Sequence, residues 1–513
     1  MLGNTNIYYY NMKSRNIIIT QKILLLILFF SICISTFLFL EIDINDELWN
    51  FQNIFKMYNG HTIYKDCNVI ITPFFFFLGN IFLKIFNPTI LTFRIYNIFI
   101  LFLYFGTIFY IFISLNIKKS TSLLYTILIF INTVSVIIFS ANYNTLALAF
   151  VFIGIIIYLN FYNKKYYNFL QGFIIFIIFF TKQNTGIYYL IAIILFELYN
   201  KKLSKIFFIE QIKIILSFLT LFLISLIFFY FYGNLFNFIN YVFGGLLEFS
   251  NSNITFASSY SPISICLTII IVSIIIILKR KKLINTSLND NFFEKYIFIF
   301  IVTLFETLTI YPIINEGHIL FVLSLYLILF FYFIDTSIIN DLFSNNKYDI
   351  LINWICIIFI LAVLIKIIYN FYSEKTNYTR IKNPKSPFYN ICIDTTYKEK
   401  IDTMSEYINN KNKLGINVII ISSDSALTMI SLNQNNGDFD LVFNGNLGYN
   451  GINSLINKIK NSENTEFLIY TNKEDMFWQE PLEIREYIIK NLTKIGEICN
   501  YSIYKWKFRQ KGA

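Results

Sequence analysis

A chain of 513 residues that is 56% hydrophobic, 14% charged and carries 59 phenylalanines is too apolar for a soluble protein of that size. Each membrane-spanning helix needs ~20 consecutive apolar residues, so its repeated long apolar runs imply a polytopic membrane protein. The formal charge of +10 then reads as cytoplasmic anchoring and not as nucleic-acid binding. Two histidines exclude a multi-histidine metal site. The six cysteines are scattered and form no C-x-x-C. Cys33, Cys266 and Cys356 lie in apolar runs and read as small core residues. Cys67, Cys392 and Cys499 lie outside them, and a Cys392–Cys499 disulfide is the single pairing to consider.

Residues 1–16 are polar and contain Lys13 and Arg15. The first apolar run, about 17–40, is too long for a signal-peptide core and lacks a small-residue cleavage site, so it reads as retained. The basic residues before it place the N-terminus in the cytoplasm. Directly after it comes E41-I-D-I-N-D-E-L-W49, with carboxylates at Glu41, Asp43, Asp46 and Glu47. In a chain so poor in charge this cluster has two readings: a solvated loop capping a helix, or the mouth of an active site outside the membrane. A first outer loop, 41–90, follows. It contains G60-H-T-I-Y-K-D66 and Pro73. Residues 73–87 are apolar but short, and predict a helix lying in the interface.

The next run, about 91–115, opens with L91-T-F-R-I-Y-N97 and ends before Lys118-Lys119, which puts Arg94 near its outer end. Further spans are expected at about 121–139, 142–161, 167–181, 186–199, 206–232, 262–278, 296–312, 318–336 and 349–371. With about eleven spans and the N-terminus inside, the basic clusters at Lys164-Lys165, Lys201-Lys202-Lys205 and Lys279-Arg280-Lys281-Lys282 all fall on the cytoplasmic side. An odd number of spans puts the C-terminus outside. From about 372 polar residues dominate. Strands are expected at 417–421, 440–444, 466–470 and 496–507, and helices at 425–435, 452–461 and 480–492. The expected organisation is therefore a transmembrane domain, 1–371, and a small extracytoplasmic α/β domain, 372–513. F443-N-G-N-L-G-Y-N-G451 lacks a P-loop lysine and reads as a turn.

In this topology the unusual polar groups gather at outer helix ends: the acidic cluster, Tyr64-Lys65-Asp66, Arg94, T181-K-Q-N-T-G186 and Y311-P-I-I-N-E-G-H318. Charges near a membrane are costly and tend to mark sites. Glu306 lies inside an apolar run, about two helical turns before Pro312, and should face the protein interior.

Asp46-Glu47 after the first span, G60-x-x-x-Y64-x-D66, Pro73 and Arg94 opening the next span together resemble the GT-C membrane glycosyltransferases. The resemblance is to bacterial polyprenyl-phosphate-sugar-dependent enzymes related to protein O-mannosyltransferases and to the aminoarabinose transferases of lipid A. Lys182-Gln183 and the loop from Pro312 to His318 resemble later landmarks, and the similarity covers about residues 17–340. It implies a multi-pass protein of the bacterial plasma membrane. Its reaction would move a sugar from a polyprenyl-phosphate donor to an acceptor hydroxyl on the outer face, on a glycan, lipid or protein.

The resemblance implies catalytic Asp46 as general base, with Glu47 sharing the role or orienting the acceptor, and inversion at the anomeric carbon. Arg94, Lys182 and His318 would bind the donor phosphate. Each also has a structural reading: Arg94 pairing with Asp46 or Glu47, Lys182 anchoring at the interface, His318 bonded at a helix end. Tyr64 and Asp66 would line the acceptor side or shape the loop. The aminoarabinose transferases carry a charged pair before the loop-ending proline where this chain has Ile71-Thr72-Pro73. That departure puts the substrate class in doubt. Related oligosaccharyltransferases use a divalent cation, the one cofactor to consider; the carboxylates here have no clear ligand spacing. Two other readings stay open. A lipid-linked saccharide transporter or flippase would place polar groups near the bilayer midplane, where this chain is mostly Ile, Leu and Phe. A polysaccharide polymerase would load its later outer loops, whereas this chain loads its first.

Overall fold

The computed structural model describes residues 42–44, 46–137, 142–256, 261–279, 290–314, 316–336, 358, 365, 378–434, 436–449 and 451–506. The spans expected at 17–40 and 349–371 lie outside the described residues, as do Glu41, Cys33, Cys356 and the basic residues 280–282. The described helices are α1 (Asp46–Tyr58), α2 (Phe74–Ile85), α3 (Ile90–Ser114), α4 (Lys119–Ile137), α5 (Tyr143–Phe161), α6 (Tyr167–Thr181), α7 (Gln183–Lys201), α8 (Lys205–Phe231), α9 (Leu235–Ile239), α10 (Leu246–Ser252), α11 (Ser261–Leu278), α12 (Asp290–Thr307) and α13 (Glu316–Ile334) before the polar C-terminal part begins. Among them α3, α5, α8 and residues Gly317–Ile334 of α13 are long and apolar enough to cross a membrane. The chain is a mostly helical multi-pass membrane protein with a small mixed sheet near its C-terminus.

By contact the chain divides into two compact units. The first comprises Met1–Phe39, Asn97–Leu223 and Phe256–Glu374. Its core is built from apolar helix faces, with Tyr104, Phe152, Ile193, Phe298 and Leu325 fully buried. Large rings fill it, as where Tyr158 stacks on Phe298 at 3.8 Å between centroids. The Tyr104 hydroxyl donates to Ser324 Oγ at 2.7 Å, which satisfies a polar tip that burial would otherwise strand. In contrast, α8 keeps much of its apolar surface outward, with Leu216 at 61% and Leu223 at 56% exposure. Lipid, not water, is the solvent such a face fits.

The second unit comprises Leu40–Tyr96, Ile224–Thr255 and Lys375–Ala513. In its C-terminal part β1 (Tyr378–Arg380) pairs antiparallel with β2 (Cys392–Asp394). There follow α14 (Thr395–Lys413), β3 (Asn417–Ile421), α15 (Ser425–Ser431), α16 (Gly451–Lys460), β4 (Thr465–Tyr470), α17 (Leu482–Asn491), β5 (Thr493–Ile498) and β6 (Tyr501–Lys505). The sheet order is β3–β4–β6–β5, with β3 and β4 parallel and the other pairs antiparallel. Strand β4 is buried on both faces, as the middle of a sheet covered by helices requires.

Two sequence expectations are corrected here. Residues 440–444 are not a strand. Leu441 takes φ +52°, which breaks an extended run. The carbonyls of Asp438 and Asp440 are instead taken by the Asn68 side chain, each at 2.7 Å. The single strand expected at 496–507 is a hairpin, β5 and β6, turning at Cys499 with φ +51°. Cys392 and Cys499 are both free thiols, so they form no disulfide. The long helix α14 had no counterpart in the sequence reading. Asp394 caps it, accepting from the Thr396 N–H at 2.8 Å, and Ile401, Met404 and Ile408 are its buried stripe. The Gly/Asn-rich stretch after Phe443 is a run of turns. Gly445 has φ +79°, and a Cβ there would overlap the backbone of Phe249 in α10.

Candidate functional site

Helix α1 starts with two carboxylates, Asp46 and Glu47, in its first turn, where the helix dipole favours negative charge. Its rotation is set by burial of Leu48, Phe51 and Ile54, with the Phe51 ring 5.9 Å from that of Phe93 in α3. One residue further along α3, Arg94 meets Glu47. The Arg94 Nε donates to Oε1 at 2.6 Å and a terminal nitrogen donates to Oε2 at 2.9 Å. This is the forked, two-bond pairing that arginine makes with carboxylate. The pair is nearly shut off from solvent, with Arg94 3% and Glu47 9% exposed. The structural pairing of Arg94 with Glu47 is thus present.

Asp46 stands beside this clamp but outside it. As a residue it is half-buried, yet its carboxyl is pushed up to about 7, first by burial and then by the neighbouring Asp43 carboxylate. A carboxyl at that value is half-ionised near neutral pH, as a proton acceptor should be. Two carboxylates adjacent in sequence are thus separated by environment: Glu47 is held by Arg94, and Asp46 is raised by burial and Asp43.

Arg94→Lys keeps the charge and loses the forked geometry. It is expected to cost about 1.5–3 kcal/mol, the worth of a hydrogen bond to a charged group, read as a lower thermal unfolding midpoint. An unchanged midpoint in both Arg94→Lys and Glu47→Gln would show the clamp to be dispensable.

Tyr64 and Asp66 build the loop. Tyr64 is 1% exposed, and its hydroxyl donates to the Ile71 carbonyl at 2.8 Å. Its ring lies edge-on to Phe229 and Phe238. Asp66 accepts from the Thr62 N–H at 2.7 Å and stands 4.0 Å from His61 Nδ1. The sequence reading missed two further groups of this unit. Asn68 is fully used: besides its two bonds to the 438–440 backbone, its Oδ1 accepts from Tyr241 at 2.9 Å. Lys56 forms a buried ion pair with Asp440 at 2.8 Å. The only hint of either was polar residues on an otherwise apolar helix and loop.

In the other unit, Lys182 is the extended residue that joins α6 to α7. Glu306 in α12 is fully buried, and neither of its carboxylate oxygens has a hydrogen-bond partner among the described residues. Lys182 is the opposite charge acting on it. The same lysine acts on His318, whose ring lies edge-on to Phe321 at 6.2 Å. Lys182 and His318, separate in sequence, thus share one electrostatic neighbourhood with Glu306. Sequence reading placed Glu306 in the interior but gave it no partner. Among the described residues no three His, Cys, Asp or Glu side chains gather as a metal site, and Glu47 is already committed to Arg94.

No family model matches the chain, and no curated protein matches it. Two crystal structures of ArnT from Cupriavidus metallidurans are similar over nearly the whole length. The apo state shares 9% identity with a TM-score of 0.42, covering 93% of this chain and 97% of that one. The form bound to undecaprenyl phosphate shares 10% with a TM-score of 0.49, covering 95% and 97%. At that distance neither carries function to this chain.

Proposed function

We propose that the chain is a membrane glycosyltransferase that moves a sugar from a polyprenyl-phosphate donor to an acceptor hydroxyl on the outer face. The observation that carries this reading is the Asp46 carboxyl held at about 7 beside a clamp that fixes its helix. The order of motifs from Asp46 to His318 supports it. So does the sidedness of the lysine clusters, which favours about eleven spans with the acidic stretch and residues 372–513 outside.

In the proposed reaction the acceptor oxygen attacks the anomeric carbon and its proton passes to Asp46. The bond from that carbon to the phosphate oxygen breaks, and polyprenyl phosphate leaves as the anion. One displacement inverts the configuration. Glu47 and Arg94 act as positioning residues that hold the first turn of α1. For the donor phosphate the resemblance implies Lys182 and His318, which with Glu306 belong to the other unit. No step is routed through a metal.

The test is reconstitution in liposomes with labelled polyprenyl-phosphate sugars and glycan, lipid or protein acceptors. Transfer with inversion is the expected result. Retention of configuration would exclude the single displacement. The buried Glu306 specifically favours a second reading, a lipid-linked saccharide transporter, since buried intramembrane carboxylates also mark pathways. Label that crosses the bilayer without forming a glycosidic bond would select it.

A further inference from the structure

Within the second unit, α1 and the turn after α15 enclose a cavity of about 220 Å³, lined by Gln52, Phe55, Lys56, Asn59, Asn433 and Gln434, among others. Cavities for drug-sized ligands are ~300–1,000 Å³, so this one suits a single ring. Three observations define what would fit. First, Gln52 is 1% exposed, and neither its amide nitrogen nor its amide oxygen has a hydrogen-bond partner among the described residues. A buried amide left unpaired costs ~1–3 kcal/mol, and a ligand with both donors and acceptors would recover it. Secondly, the one buried cation of the lining, Lys56, is already neutralised by Asp440 at 2.8 Å, and the half-exposed His61 stands 4.0 Å from the Asp66 carboxylate, so each cationic group of the lining already has a carboxylate beside it. Thirdly, the remaining polar groups are three amides and the half-exposed His61 imidazole, with the Asn59 Nδ2 donating to Asn433 Oδ1 at 2.9 Å and Gln434 exposed at the mouth. Phe55, 5% exposed, adds one apolar wall.

We infer that this cavity is a binding site for a neutral saccharide unit, its hydroxyls paired by the Gln52, Asn59, Asn433 and Gln434 amides and its C–H face set on Phe55. Amides that can both donate and accept match hydroxyls, which do the same. The site is separate from the proposed catalytic face. Gln52 follows Asp46 by six residues, which is ~9 Å along α1 and ~240° around it. It therefore stands whether or not Asp46 is the base, and its test reads binding instead of transfer.

The full chain in lipid nanodiscs would be titrated with methyl glycosides of neutral hexoses and N-acetylhexosamines by saturation-transfer-difference NMR. Inorganic phosphate and methyl glucuronide would serve as charged probes. Saturable binding of at least one neutral glycoside is expected, with a Kd on the order of 1 mM. Gln52→Leu should weaken it at least tenfold. Gln434→Trp and Asn59→Trp, at exposed positions that tolerate bulk without unfolding the core, should fill the cavity and abolish it. The inference fails if no neutral glycoside saturates, if binding is the same in all three variants while they remain folded, or if only the charged probes bind.

Discussion

Asp46→Asn is expected to lower sugar transfer by ~10²–10⁴-fold, the usual contribution of a positioned general base, with little change in donor affinity. The Asn side chain fills the same space, so the loss would be one of proton acceptance and not of shape. The wild-type rate should follow the Asp46 carboxyl, which sits at about 7. Below that value the group is protonated and cannot act, so kcat/KM should fall about tenfold per pH unit as pH drops. Above it the rate should level off. Stability runs the other way. A carboxyl raised from 3.8 to about 7 by folding is harder to ionise in the native state, so it costs stability as pH rises through that window. At pH 8 Asp46→Asn should therefore melt no lower than wild type. An inactive variant that also melted well below wild type would point to a structural role. A variant with full activity would remove Asp46 from the mechanism.

Lys56 and Asp440 carry the largest expected stability effect. Their side chains are 4% and 2% exposed, 2.8 Å apart. Burial disfavours the Lys56 charge, yet Asp440 more than offsets it and holds the ammonium above its ordinary value of 10.5. Removing either partner leaves a buried charge with no counterpart, which costs about 3–5 kcal/mol. Lys56→Ala and Asp440→Ala should each show this in thermal unfolding, with early proteolysis in residues 378–506. Lys56→Met combined with Asp440→Leu should recover most of the loss, because the cost lies in the orphaned charge and not in the missing pair. Since the Lys56 value is raised on folding, its stabilisation is complete below pH 10.5 and lost only in stronger alkali. Equal losses in the single and double variants would show that packing, not charge, is what matters there.

The helices that the structure describes were legible because an apolar run is a local property. Those at Ile90–Ser114, Tyr143–Phe161 and Lys205–Phe231 match the expected ones to within a few residues. The short helix Phe74–Ile85 was marked by its length and by Pro73. The polar C-terminal part was harder. Helix Thr395–Lys413 carries its buried stripe on three residues among many Lys, Asn and Glu, so composition hides it. Residues 440–444 look strand-forming by composition, but the carbonyl and carboxylate of Asp440 are claimed by Asn68 and Lys56, more than 350 positions earlier. Such pairings leave no local mark. The acidic stretch shows the same divide. Sequence singled out Asp46 with Glu47 second, and only the placement of Arg94 and the burial of Asp46 beside Asp43 separate a clamped carboxylate from a raised one.

The bond between Lys56 and Asp440 also sets a timetable for biosynthesis. The ribosome completes Lys56 roughly 380 residues before it reaches Asp440, a wait of about 20–80 s at ordinary elongation speed. Throughout that interval the newly made α1 holds an ammonium whose partner does not yet exist. The unit that contains the proposed base can close only after nearly all of the chain has been translated. A ribosome that stops short of residue 440 would thus release a protein with its apolar helices made and its second unit unsealed, a natural substrate for quality-control proteolysis.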